Sequence, residues 1–149
     1  MNLADRAEQF LGKGIREVSG PSSHPQILEW LRRTEKLYPT DIKIDDSKYA
    51  WCGVFVGNMV LDEIAAGGGI PKPPGYFQGA ARWSAYGKAV LPEQGKRGDI
   101  VVTTRPGGSH VTIISKPQKG GYLCTGGNQS DTINQSFFPY SKIIHIRRP

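Results

Sequence analysis

The feature that most limits what this chain can fold into is a change of hydrophobic period near Gly95. Before it, apolar residues recur at helical spacing; after it, they come as short β-branched runs cut by glycine pairs. Ile100-Val101-Val102-Thr103, Val111-Thr112-Ile113-Ile114, Tyr122-Leu123-Cys124-Thr125 and Ile143-Ile144-His145-Ile146 are the expected strands. Gly107-Gly108 and Gly120-Gly121 stand between them as hairpin signals. Helices first and then a strand meander predict an α+β domain, with one helix packed on a small antiparallel sheet.

The helical part reads in three pieces. Asn2 is the expected N-cap of a short amphipathic helix carrying Leu3, Ala7, Phe10 and Leu11, stopped by Gly12 and Gly14. After the loop Ser19-Gly20-Pro21-Ser22-Ser23, Pro25 suits a first helical turn, and Ile27, Leu28 and Leu31, with Trp30, form an inner face. Tyr38 to Lys48 is polar and turn-like. The most hydrophobic helical run spans Trp51 to Ala66 and ends at Gly67-Gly68-Gly69. Pro71 to Gly79 is a loop, with a short helix expected from Ala80 to Tyr86. A chain of 149 residues supports one domain with a proper core, here 1–149, with a helical part about 1–48 and a second part about 49–149.

Charge narrows the partners. The net charge of +6, from 19 basic and 13 acidic residues, favours a polyanion such as nucleic acid, anionic lipid or the phosphate groups of a bacterial envelope. The basic residues are scattered, with tight pairs only at Arg32-Arg33 and Arg147-Arg148, which argues against a nucleic-acid stripe. No apolar run reaches membrane-spanning length, so no integral membrane contact is expected. Met1-Asn2-Leu3-Ala4-Asp5-Arg6 lacks the layout of a secretory signal. The expectation is synthesis in the cytoplasm, with any export by another route.

Three separated segments carry candidate chemistry. Cys52 lies where the apolar helical run begins. A lone helical cysteine is ordinarily a small buried hydrophobe, but in a first turn, free N–H groups and the helix dipole stabilise a thiolate. The same N–H groups suit an oxyanion. His110 follows the Gly-Gly-Ser turn and opens a strand, sharing a face with Thr112 and Ile114. His24 before Pro25 suits a cap, and His145 lies among aliphatic residues in the last strand. Asn128, in Gly126-Gly127-Asn128-Gln129-Ser130, is placed to orient an imidazole, although the same segment reads as an ordinary turn. Gln129, Asp131 and Asp99 are the alternatives. A zinc site is disfavoured, because there is no Cys-x-x-Cys and no histidine pair at helical spacing. Cys124 is expected in the core, and both cysteines are expected as free thiols.

Taken together, Tyr49-Ala50-Trp51-Cys52-Gly53-Val54-Phe55-Val56, Arg97-Gly98-Asp99-Ile100-Val101-Val102, Gly108-Ser109-His110-Val111-Thr112-Ile113-Ile114 and Gly126-Gly127-Asn128-Gln129-Ser130-Asp131 resemble the CHAP group. These are cysteine, histidine-dependent amidohydrolase/peptidases, related to NlpC-type and papain-like enzymes, and the nearest likeness is to the single-domain, phage-associated kind. The resemblance covers roughly residues 45 to 149. It implies a papain-like fold, Cys52 as nucleophile, His110 as general base and Asn128 as the third member. It also implies a peptidoglycan substrate, with Trp51, Trp83 and Gln129 as substrate contacts and no metal or organic cofactor. Delivery to the wall would then depend on a holin or a secretion system. Many relatives carry an acid two positions before that asparagine, where this chain has Gly126. The rival expectations are a protein-directed amidase or deamidase toxin, and a wall-binding module with a dead site.

Overall fold

A computed structural model describes residues 1–18, 24–40 and 50–149. The Ser19–Ser23 loop, the stretch from 41 to 48, Tyr49 and the expected boundary near residue 48 lie outside the described residues.

Three α-helices precede a six-stranded antiparallel sheet, as the change of period predicts. Helix α1 (Leu3–Glu8) begins with a reciprocal capping box. Asn2 Oδ1 accepts from the Asp5 N–H, and Asp5 Oδ2 accepts from the Asn2 N–H at 2.7 Å. It is shorter than expected, so Phe10 and Leu11 pack against the core from a turn rather than from the helix. Helix α2 (Pro25–Leu37) has Pro25 in its first turn, and His24 caps it by accepting from the Gln26 N–H through Nδ1. Ile27, Trp30 and Leu31 form its buried face.

Helix α3 (Cys52–Ala65) is buried on every side from Cys52 through Val60. It stops in a Schellman motif, where Gly67 takes φ +90° and the N–H of Gly68 reaches the Glu63 carbonyl. One polar residue crosses this apolar surface. Asn58 is fully buried and donates to the Val54 carbonyl and to Thr34 Oγ1, tying α3 to α2.

The strands are β1 (Lys88–Val90), β2 (Ile100–Arg105), β3 (Gly108–Gln118), β4 (Gly121–Gln129), β5 (Thr132–Pro139) and β6 (Ile143–Arg148). They are ordered β1-β6-β2-β3-β4-β5, and every pair is antiparallel. β2, β3, β4 and β6 contain the four expected runs, and both glycine pairs turn hairpins. β1 and β5 are additional strands. The Ala80–Ala85 segment is a 3-10 helix. Ile100, Val102, Val111 and Ile113 pack with the helices, whereas Val101, Ile114, Tyr122, Cys124 and Ile146 form a second cluster on the other face.

Arg97-Gly98-Asp99 fastens this arrangement. Arg97 pairs with Asp5 at 2.8 Å and Glu8 at 2.5 Å on α1. Asp99, nearly buried, accepts from Arg148 of β6 and from the Lys96 N–H. Gly98, at φ +92°, makes the turn between them.

Close packing around α3 depends on absent side chains. A Cβ on Gly57 would collide with the Phe77 ring, and one on Gly53 would meet the Phe77 and Gln78 carbonyls. Gly57→Ala gains about 1 kcal/mol of helix propensity but overpacks a rigid site at a cost of about 1–3 kcal/mol. We expect a net loss, read as a lower urea midpoint at unchanged slope. A gain in stability would mean that Phe77 moves aside freely.

Candidate functional site

The first turn of α3 has no capping side chain. Trp51 sits at the N-cap without a side-chain hydrogen bond to the helix, so the first N–H groups are left to other acceptors. The Cys52 sulfur stands beside them. It lies against the backbone N–H groups of Gly53 and Cys52 and against that of Val111 on β3. Val111 follows His110, so α3 and β3 bring the thiol to the peptide that carries the imidazole.

The two side chains approach that point from different sides. Val111 packs with Cys52 on the helix face, whereas His110 stands opposite Thr103 of β2 and alternates with Val111 onto the other face. Among the described residues no hydrogen bond joins the sulfur to the imidazole; the ring bonds Gln129 instead. A thiol hydrolase needs both groups open to substrate. In the structure Cys52 is 1% exposed and His110 is 8% exposed, so the thiol is covered, whereas the imidazole borders a cavity.

A β-bulge decides which residue holds the ring. Between Gly126 and Gln129, β4 carries one more residue than β5 opposite it, and Asn128 absorbs the extra residue at φ 56°. The bulge shifts the alternation by one, turning Gln129 toward Thr112 and His110. Gln129 Nε2 faces three oxygens, the Asn134 carbonyl, Asn134 Oδ1 and the Cys124 carbonyl, which fixes the direction of its amide. Gln129 Oε1 therefore accepts from Thr112 Oγ1 at 2.7 Å and from His110 Nε2 at 3.1 Å. His110 carries its proton on Nε2 and leaves Nδ1 as the basic nitrogen. Phe138 stacks on the ring with centroids 5.6 Å apart.

The hydrogen bond expected of Asn128 is thus made by Gln129, which was expected to contact substrate. Asn128 borders the cavity beside it. Gly126 has a reason as well. A Cβ there would lie 2.5 Å from both Gln129 Oε1 and Thr112 Oγ1, in the space the orienting amide needs. The two tryptophans are corrections. Trp51 is fully buried with its indole N–H on Glu17, and Trp83 is fully buried with its N–H on the Phe77 carbonyl. Neither offers a ring face to a ligand, because each spans a gap in the core. Asp99 is engaged by Arg148, and Asp131 takes φ 62° in the β4–β5 turn.

Burial sets the protonation of the pair. It pushes the Cys52 thiol above its ordinary range, although the N–H of Val111, the charge of Arg105 and the N–H groups of Gly53 and Cys52 all act to lower it. Burial also holds His110 below the usual imidazole range; Arg105 adds to that, and the Gln129 bond opposes it. Both effects favour a neutral thiol beside a neutral imidazole. Cys124 is also pushed up, by burial alone. Among the described residues no cluster of three or more His, Cys, Asp or Glu is arranged to hold a metal, and no helix is long and apolar enough to cross a membrane.

Because folding depresses the His110 pKa, the fold loses stability as pH falls from the ordinary imidazole value of 6.5 through the lower folded value. Gln129→Ala removes the bond that opposes this depression. The His110 midpoint, followed by proton NMR, is expected to move lower still, with a steeper loss of melting temperature below neutrality. An unchanged midpoint would show that Gln129 does not support the charged ring.

No protein-family model matches the chain, and no curated protein matches it in sequence.

Proposed function

We propose that this protein is a thiol-dependent amide hydrolase of papain-like kind that cuts bacterial peptidoglycan. It would reach the wall through a holin or a secretion system. The observation that carries the reading is that a helix-start cysteine abuts the peptide that follows a strand histidine. The fixed tautomer of that histidine strengthens it. The choice of peptidoglycan rests on the ordered sequence segments and on the basic surface, which suits an anionic wall.

In the proposed reaction His110 Nδ1 takes the proton of Cys52 Sγ, and the sulfur attacks the amide carbonyl carbon. The oxyanion is held by free N–H groups at the start of α3. The intermediate collapses as His110 returns the proton to the leaving amine, giving a thioester. Water, deprotonated by His110, then releases the acid and restores the thiol. Gln129 holds the imidazole in one tautomer and steadies the imidazolium.

At 1% exposure, Cys52 has to be uncovered before it can react. Proton transfer also requires that, when substrate arrives, the α3 start and β3 shift so that the sulfur and the imidazole come to the same side of the strand. The same low exposure favours one rival, a module that binds wall without cutting it.

Zymography on purified sacculi separates the two. Wild type is expected to clear, whereas Cys52→Ala should clear at least about a thousandfold less while still sedimenting with sacculi. Wild-type binding without clearing would establish the module, and clearing by Cys52→Ala would remove the thiol from the chemistry.

A further inference from the structure

The cavity beside His110 is built for an anion. It is open to solvent and offers about 310 Å³, and its lining includes Thr103, Arg105, Gln129, Phe138 and Lys142. Among the described residues its lining includes no carboxylate side chain, and neither Arg105 nor Lys142 takes part in an ion pair. Thr103, opposite His110 on the neighbouring strand, is fully buried, and its Oγ1 has no hydrogen-bond partner among the described residues. A buried hydroxyl in that condition is costly unless a ligand group completes it. Two unneutralised cations and an unfilled donor around one basic ring describe a receptor for a small, flat anion.

We propose that this cavity receives a free carboxylate of the peptide substrate, with Arg105 and Lys142 as specificity-determining residues and Thr103 as the donor at its floor. The inference rests on the peptidoglycan reading, whose stem peptides carry such carboxylates close to their amide bonds. Arg105 offers the planar fork that fits a carboxylate in two-point contact, and Lys142 adds a mobile point charge. Phe138, stacked on the imidazole, supplies an apolar wall for the adjoining chain. A seated carboxylate also neutralises Arg105, whose charge opposes protonation of His110. The substrate's own charge would thereby make the imidazole a better base.

The test uses two muramoyl dipeptides that differ only in their carboxyl groups, N-acetylmuramoyl-L-alanyl-D-glutamate and its diamide, in which both glutamate carboxyls are amidated. Binding is measured by calorimetry on full-length Cys52→Ala, so no cleavage intervenes. The acid is expected to bind about tenfold more tightly than the amide. Adding Arg105→Gln or Lys142→Gln should remove most of that preference while leaving affinity for the amide unchanged. Equal affinity for acid and amide, no binding of either, or a preference that survives both substitutions would overturn the proposal. Its failure is separable from failure of the hydrolase reading. Sacculi cleared by a protein that ignores the acid would leave the hydrolase and remove the carboxylate pocket; the converse would leave the pocket and remove the hydrolase.

Discussion

The close seating of helix α3 beneath the sheet is the constraint on which the rest of the structure depends. A helix buried on every side needs its neighbours at backbone distance, and glycine supplies that approach where it matters. Gly53 and Gly57 admit the Phe77–Gln78 backbone and the Phe77 ring, while Gly127 of β4 lies over Trp51 and Phe55. A Cβ on Gly127 would come within 2.7 Å of the Trp51 ring. These contacts fix the first turn of α3 against β3 and β4, and so fix Cys52. The packing that positions the thiol also dries it. Its charged form loses more to desolvation than the surrounding N–H groups return.

A second constraint acts on the histidine from the other face of the sheet. One bulged residue in β4 turns Gln129 inward, and a fully engaged amide then sets the imidazole tautomer. Rigid orientation of a base by a neutral amide stabilises geometry without adding charge, so burial and Arg105 still keep the ring neutral. The resting site is an assembled but uncharged pair, divided by the backbone of β3. In the proposed reaction substrate would do two things: uncover the sulfur and supply negative charge near Arg105. One ligand bearing a carboxylate beside its amide would meet both needs.

Much of the fold is legible in the sequence because its signals are local. The Asn2 cap, Pro25 in a first turn, the glycine run after α3 and the hairpin glycines each act within a few residues. β5 escapes because only Ile133 of its eight residues is buried, and Asn134-Gln135-Ser136 breaks any hydrophobic alternation. β1 has two exposed residues among its three and exists through its pairing with β6. At the site, Cys52 and His110 were readable from helix-start and strand-start signals. The orienting residue was placed one position early, because counting in twos cannot see a bulge that only the β5 register reveals. For the tryptophans the sequence leaves two readings open, since size alone does not distinguish a groove wall from a core strut, and burial selects the strut.

The central claim is that Cys52 and His110 share a proton once the thiol is uncovered. The most direct measurement is the rate of iodoacetamide alkylation at Cys52 against pH, resolved by peptide mass spectrometry, in wild type and His110→Ala. The account predicts slow but measurable labelling of wild-type Cys52 around neutrality, which disappears in the variant while Cys124 stays unlabelled in both. Identical pH profiles for Cys52 in the two proteins, rising only in the alkaline range alongside Cys124, would contradict it.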